Sequence, residues 1–237
     1  MIKLYRALLG VAASGYMTAC FSQSVPPSLK EIKEQHEAGS EAFKAALAQL
    51  CAYYEPSSAG QESGFDRDVR ELCEKALDNH FRVDTISSTA TIVFDIDETM
   101  LSHYGLFKEC NFECGLQDWR PYREAQRCLA IKPVRDFCQV LKVLGYTLIL
   151  ISSRRDLLVK QTAENLAREG YEFDELILMP MSLWNQKSGA ADHNGWKEAM
   201  RKECSKKYKI VGCVGDSDGD FQGECCGVKV RLPNYLY

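Results

Sequence analysis

Asp95 and Asp97 stand two residues apart at the end of an apolar, β-branched run over 89–94. Ser152 follows a second such run over 146–151, and Asp216 follows a third over 209–214. In an open α/β sheet the carboxyl ends of the strands line the ligand crevice, so these distant segments would converge on one site. Carboxylates at Asp95 and Asp216 are hard oxygen donors of the kind Mg²⁺ takes, together with waters and a substrate oxygen. A carboxylate can also attack phosphorus and form an acyl phosphate. A cation between it and a phosphate dianion would screen the charge and permit the attack. Asp97 lies along the same strand direction and could protonate a leaving oxygen, then activate water. Ser152 could hydrogen-bond a phosphoryl oxygen, and Lys197 or a neighbour could add positive charge to the transferring group.

Each residue also has a plain structural reading. An isolated Asp-x-Asp is common on solvated turns, Ser is a good helix N-cap, and Lys197 is one of several lysines with Lys202, Lys206 and Lys207. The run from Asp216 to Asp220 resembles the start of a calcium loop. Such a loop needs Gly at its sixth position and Glu at its twelfth; here those are Phe221 and Gly227. Asp218 then reads as a surface or supporting residue. What favours chemistry is three polar strand ends in one chain.

The elements that must position them follow from periodicity. Ser28 with Glu31 three residues on has the capping-box pattern, and Phe43, Leu47 and Leu50 recur at helical spacing, predicting a helix over much of 28–53. A second helix is expected over 65–80. Strands are expected over 89–94, 146–151, 173–178, 209–214 and 228–232, with helices over 134–144, 156–168 and 196–208 between them. This alternation predicts a Rossmann-like α/β fold, a parallel sheet with helices on both faces. The expected organisation is a leader over 1–19, a tether over 20–27 with Pro26-Pro27, a helical segment over 28–88 and a core over 89–237. Within that core, 102–130 reads as an irregular, aromatic and cysteine-rich cap insertion.

The motifs together resemble the haloacid dehalogenase superfamily, and within it the class C acid phosphatases of bacterial surfaces and the related plant acid phosphatases and vegetative storage proteins. Val93 to Ser102, with Asp95-Ile96-Asp97-Glu98-Thr99 at its centre, resembles the first motif, and Ile151-Ser152-Ser153-Arg154 the second. Lys197 to Arg201 resembles a Lys-x-x-x-Arg third motif, and Gly215-Asp216 through Asp220-Phe221 the fourth; Leu232-Pro233-Asn234 resembles the family's ending. The resemblance covers roughly 90–237. It implies Asp95 as nucleophile, Asp97 as general acid and base, and Ser152 and Lys197 on the phosphate. It implies Mg²⁺ held by Asp95, Asp216 and the Asp97 backbone carbonyl, with Asp220, Ser153 and Arg154 supporting. The implied reaction releases phosphate from small monoesters, nucleoside monophosphates among them, at acidic pH. Cap aromatics hold the organic part of the substrate in this family; Tyr104 is the candidate here, with Trp119 a second that could equally be a core anchor. Lys132-Pro133 departs from the Pro-Gly common among relatives and, with the cysteine-rich cap, leaves substrate preference open.

Bulk properties agree with an ordinary globular protein. Of 237 residues, 46% are apolar and 26% charged, with a formal net charge of −4 and a pI near 5.7. No basic stripe marks a nucleic-acid partner. Lys3 and Arg6 precede an apolar stretch over 7–17, too short to span a bilayer, and Met17-Thr18-Ala19-Cys20 resembles a bacterial lipobox. A cell-envelope lipoprotein anchored at Cys20 is therefore expected, with plain export after Ala19 or an uncleaved anchor as alternatives. Lipidation of one of the eleven cysteines would leave an even number in an oxidising compartment, where disulfides form. Cys110, Cys114, Cys128, Cys225 and Cys226 are the candidates, while Cys138 and Cys213 fall in core elements. A zinc site at Cys110 and Cys114 lacks a second ligand pair. Two functional rivals remain: a non-catalytic binding or storage protein on the same scaffold, and a phosphotransferase that passes the phosphoryl group to an alcohol. Retention of Asp95 counts against the first.

Overall fold

The computed structural model describes residues 25–81, 90–184 and 190–237. The leader and Cys20 lie outside them. Five parallel strands form the central sheet in the order β5-β4-β1-β6-β7: β1 (Ala90–Phe94), β4 (Thr147–Arg155), β5 (Glu175–Met179), β6 (Lys209–Gly215) and β7 (Val228–Arg231). All four pairings are parallel. β1 is central, and its neighbours β4 and β6 hold it in register through Phe94 opposite Leu150 and Val214.

Both faces of the sheet are covered because successive strand residues point to opposite sides. Ile92, Phe94, Leu148 and Leu150 enter one core with Phe81, Phe137 and Leu166. Val93, Ile149 and Ile151 enter the other with Trp196 and Cys213. The first face is packed by α3 (Gly64–Asn79), α6 (Lys132–Val143) and α7 (Val159–Arg168); the second by α9 (Ala190–Cys204), which follows the short α8 (Met181–Trp184). The expected α/β architecture is thus present.

Three elements differ from expectation. The helix expected over 28–53 is split into α1 (Leu29–Gln35) and α2 (Glu41–Tyr54). Gly39 at φ +79° turns the chain, and Ser40 recaps it through the Phe43 amide; a glycine at positive φ followed by a good N-cap ends one helix and starts another. β4 runs on through Ser152, Ser153 and Arg154. The 102–130 stretch, expected to be irregular, contains α4 (Tyr104–Glu109) and α5 (Leu116–Glu124). It returns as β3 (Leu129–Ala130), antiparallel to β2 (Leu101–Ser102). The Tyr171 hydroxyl pins this hairpin's base: it lies 2.6 and 3.1 Å from the Met100 and Ile131 carbonyls, between which its one proton is shared.

The N-terminal helices are not a detached unit. Leu29, Ile32 and Leu50 share a core with Phe107 and Phe112 of the insertion and with Leu236 near the chain end. Every described cysteine is a free thiol; of the disulfide candidates, Cys128 and Cys226 are buried. Among the described residues no helix is long and apolar enough to cross a membrane.

Candidate active site

The first acidic segment leaves β1 through a tight reversal. The Asp95 amide extends the ladder by donating to Val214 O at 3.0 Å, and the amides of Thr99, Met100 and Leu101 all converge on Ile96 O at 2.8–3.3 Å. Glu98 sits at φ +54°, a conformation that costs a non-glycine residue energy and persists where the surroundings impose it. Those surroundings are clear: the buried Glu98 carboxylate accepts from the His103 amide at 2.6 Å and faces His103 Nδ1 at 3.0 Å. The reversal sends the Asp95 and Asp97 side chains into different environments.

Asp95 lies on an acidic floor. β6 ends at Gly215 and delivers Asp216, and a turn over Asp218–Asp220 folds Asp220 back. A Cβ on Gly215 would meet the Asp220 side chain at 2.4 Å, so this approach needs glycine. Asp220 Oδ2 accepts from the Ser217 amide and hydroxyl at 3.0 and 2.8 Å. One carboxylate oxygen from each of Asp95, Asp216 and Asp220 falls within 4.8 Å of the others. Lys197 on α9 donates at 2.6 Å to both Asp95 Oδ1 and Asp220 Oδ1. One helical turn on, Arg201 binds the carbonyls of Gly219 and Gln222 and so holds the loop that carries Asp220. The Lys-x-x-x-Arg spacing is a helical i, i+4 pair with one member on the carboxylates and one on their loop.

Charge on the floor is incompletely balanced. Burial first, opposed by Lys197 and reinforced by Asp220 and Asp216, raises the Asp95 pKa well above the usual carboxylate range. Burial and the Asp220 carboxylate push Asp216 up to about 7, against a hydrogen bond from Asn234. Asn234 Nδ2 donates to Asp216 Oδ2 at 2.8 Å, and Thr99 Oγ1 to Oδ1 at 3.2 Å. A buried cluster of hard oxygen donors, with the Asp95 and Asp216 pKa values raised, suits a divalent cation, which relieves the repulsion.

Asp97 faces a basic wall instead. Arg154, with a fully buried side chain, donates to Asp97 Oδ1 from Nε at 2.9 Å and from a terminal nitrogen at 2.7 Å. Arg123 of α5 donates to Oδ2 at 2.8 Å, and His103 Nε2 lies 3.5 Å from Oδ1. Burial alone would raise the Asp97 pKa, but Arg123, Arg154 and His103 outweigh it and hold the carboxyl far below its ordinary value. Burial opposes protonation of His103, yet Asp97, Cys128 and Glu98 lift its pKa to about 9. Arg123 Nε, 3.1 Å from Nε2, works the other way. A guanidinium keeps its protons, so Nε2 can accept from Arg123 only when the ring is neutral, with Nδ1 then donating to Glu98.

The expected site residues divide as follows. Asp95, Lys197, Asp216 and Asp220 meet directly. Asp97 is adjacent, but its carboxylate is turned from the acidic trio to the arginines. Ser152 is buried on β4, two residues beyond the partner of Phe94, and its Oγ accepts from the Arg154 amide at 3.3 Å. Ser153 is half-buried beside it. Tyr104 is committed elsewhere: its ring stacks on Tyr54 at 4.9 Å and its hydroxyl donates to Glu55 at 2.6 Å. Two further aromatic groups border the site: Trp119, which stacks on His103 at 4.7 Å, and Tyr237, 5.0 Å from Trp119. About half of Tyr237 is open (53%). Burial and the charges of Asp216, Glu98, Asp97 and Asp95 nevertheless raise its phenol pKa well above normal. Sequence reasoning missed Arg123, His103, Thr99 and Tyr237. Asn234 stood in the Leu-Pro-Asn ending without a role.

Comparison with known proteins gives a consistent result. Residues 19–237 match the family described as HAD superfamily, subfamily IIIB (Acid phosphatase). Vegetative storage protein 1 of Arabidopsis thaliana is 28% identical over 153 residues, 61% of this chain and 54% of that protein. Vegetative storage protein 2 of the same plant is 24% identical over 73% of this chain and 66% of that protein. The chain thus spans between half and two thirds of the length of these relatives. The class C acid phosphatase from Bacillus anthracis has a similar fold, with a TM-score of 0.59 and 21% identity over 80% of this chain and 85% of that one.

Proposed function

The chain belongs to the acid phosphatases of HAD subfamily IIIB, and we propose that it hydrolyses small phosphomonoesters, nucleoside monophosphates among them, with Asp95 as nucleophile. The observation that carries this reading is the pairing of opposite environments two residues apart, Asp95 on a lysine-linked acidic floor and Asp97 between two arginines. Titratable neighbours pushed in opposite directions mark divided roles in catalysis.

In this mechanism Asp95 forms a bond to phosphorus as the ester P–O bond breaks, giving an aspartyl-phosphate. Asp97 passes a proton to the departing oxygen, then takes one from the water that attacks the aspartyl-phosphate. Arrival of an anionic phosphoryl group opposes the two guanidinium charges and eases protonation of Asp97. The buried Ser152 hydroxyl and Lys197 bind phosphoryl oxygens. Asp95, Asp216 and the Asp97 backbone carbonyl would hold Mg²⁺, with Asp220 supporting through Lys197. Bound there, the ion would offset negative charge between carboxylate and phosphate. Trp119 and Tyr237 are the aromatic groups we assign to the organic part of the substrate, in place of Tyr104, with 102–130 as the cap. We further propose export through the leader, with a lipid at Cys20; labelling by radioactive palmitate in a lipidating host should vanish in Cys20→Ala.

The test is phosphate release from p-nitrophenyl phosphate and nucleoside monophosphates at acidic to neutral pH, with Mg²⁺ and with EDTA. Activity should require the metal and fall by about 10⁴-fold or more in Asp95→Asn. Turnover that survives both treatments would reject the mechanism. No turnover by folded, metal-loaded wild type would favour a storage role, and phosphoryl transfer to added alcohol outrunning hydrolysis would favour a phosphotransferase.

A further inference from the structure

We propose that Arg123 is a positioning residue that aims Asp97 at the leaving-group oxygen, so that the 102–130 insertion serves the acid–base half of the reaction and not the nucleophilic half. The inference rests on the phosphatase reading above.

A carboxylate held at one oxygen can still turn about its terminal torsion, which has a broad energy profile. Arg154 holds Asp97 Oδ1 alone. Arg123 takes Oδ2 and removes that freedom, leaving a fixed lone-pair direction for the substrate. Arg123 is itself fixed from two sides. Its guanidinium lies over the Trp119 ring at 4.8 Å, and its Nε meets His103 Nε2 at 3.1 Å. His103 is fully buried, stacks on Trp119 at 4.7 Å and is tied to Glu98 through its amide and Nδ1. The contacts form a chain from Glu98 through His103 and Arg123 to Asp97, with Trp119 as its backing. The Arg123 and Asp97 side chains are 15% and 14% exposed, so this is no solvated surface pair of small effect.

The acidic floor has a separate support. Among the described residues, the side-chain hydrogen bonds of Asp95, Asp216 and Asp220 come from α9, the Ser217 turn, Thr99 and Asn234, and none comes from α5. Loss of Arg123 should therefore disturb one half of the chemistry. As the P–O bond breaks, the electron pair stays on the leaving oxygen. p-Nitrophenolate departs with that charge, whereas an alkoxide needs the proton from Asp97. General acid catalysis demands correct placement within hydrogen-bond reach.

The experiment compares kcat/KM for p-nitrophenyl phosphate and glycerol 2-phosphate, with Mg²⁺, in wild type, Arg123→Gln and Arg123→Lys. This parameter is set by steps up to leaving-group departure, and the ratio of two substrates is independent of how much variant is folded. In Arg123→Gln the glycerol 2-phosphate value should fall at least about tenfold further than the p-nitrophenyl phosphate value. In Arg123→Lys, whose ammonium can reach one oxygen, the gap should partly close. Equal losses on both substrates, or a gain on glycerol 2-phosphate from releasing the Asp97 charge, would overturn the inference while leaving the phosphatase reading intact. A wild type that turned over neither substrate would overturn that reading and the inference with it.

Discussion

Asp95 and Asp97 are two residues apart on one strand end, yet the protein treats them as opposites. Asp95 is buried, shares one lysine with Asp220 and is crowded by Asp216, so its charge is resisted. Asp97 has two guanidinium groups and an imidazole around it, so its charge is held. Two side chains of one chemical type thus acquire different properties because the strand-end reversal points one toward β6 and α9 and the other toward β4 and α5. The floor is an unfinished electrostatic system that a cation completes, and the wall is already complete in the protein alone.

The sharpest way to break this contrast is Lys197→Met. It leaves three buried carboxylates without their organic cation. Removing one partner of a buried ion pair costs about 3–5 kcal/mol, to be read as a lower urea midpoint in metal-free protein. kcat/KM should fall by about 10²–10³-fold, the usual loss for one group that stabilises developing charge. A stability unchanged within error would mean that the floor does not depend on this lysine.

The contrast should also appear as two opposite pH slopes in metal-free protein. The unfolded chain gives up an Asp proton near pH 4, while folded Asp216 keeps its proton up to about 7. Between these values the native state binds more protons, so this group makes stability fall as pH rises from about 4 to 7. Asp97 acts the other way: its pKa is lowered on folding, so its contribution is present above about pH 4 and is lost as pH falls below that. Melting temperatures against pH in EDTA should therefore decline toward neutrality, and Asp216→Asn should flatten the decline. Saturating Mg²⁺ should remove it too, since a ligand at about 100 times its Kd adds about 2.7 kcal/mol. A wild-type curve that rises steadily to pH 7 without metal would contradict the charge description of the floor.

The smallest expected effect separates the insertion's foundation from its catalytic edge. Tyr104→Phe deletes the hydroxyl that bonds Glu55 of the N-terminal region. It should cost about 1 kcal/mol or less, seen as a modest drop in melting temperature. Its p-nitrophenyl phosphate to glycerol 2-phosphate ratio should match wild type, unlike that of Arg123→Gln. An altered ratio would return Tyr104 to the site.

Much of the acidic floor was legible beforehand because local rules fix it. Buried apolar runs make strands, polar residues just beyond them reach the crevice, and the Lys197–Arg201 spacing is one helical turn. The wall was not legible. Arg123 lies among Arg120 and Arg127 with no spacing that marks it, and α5 had been read as irregular. Arg154 was placed near the site but not on Asp97. Tyr104 shows what closeness to the first motif in sequence leaves open: α4 turns its ring onto Tyr54 and its hydroxyl to Glu55. The helix over 28–53 failed for a local reason, since the periodicity was correct on both sides of the break at Gly39.

The sequence by itself determined the alternating architecture and the strand ends that carry Asp95 and Asp216, because burial pattern and helical spacing are properties of short segments; Lys197 and Asp220 were marked by the family resemblance of their motifs. Tertiary structure decided which carboxylate met which cation. It brought Arg123 from the insertion, Arg154 from β4 and Asn234 from the chain end to carboxylates far from them in sequence. Coulomb interactions and desolvation act over a few ångströms of space, and no spacing along the chain encodes those distances.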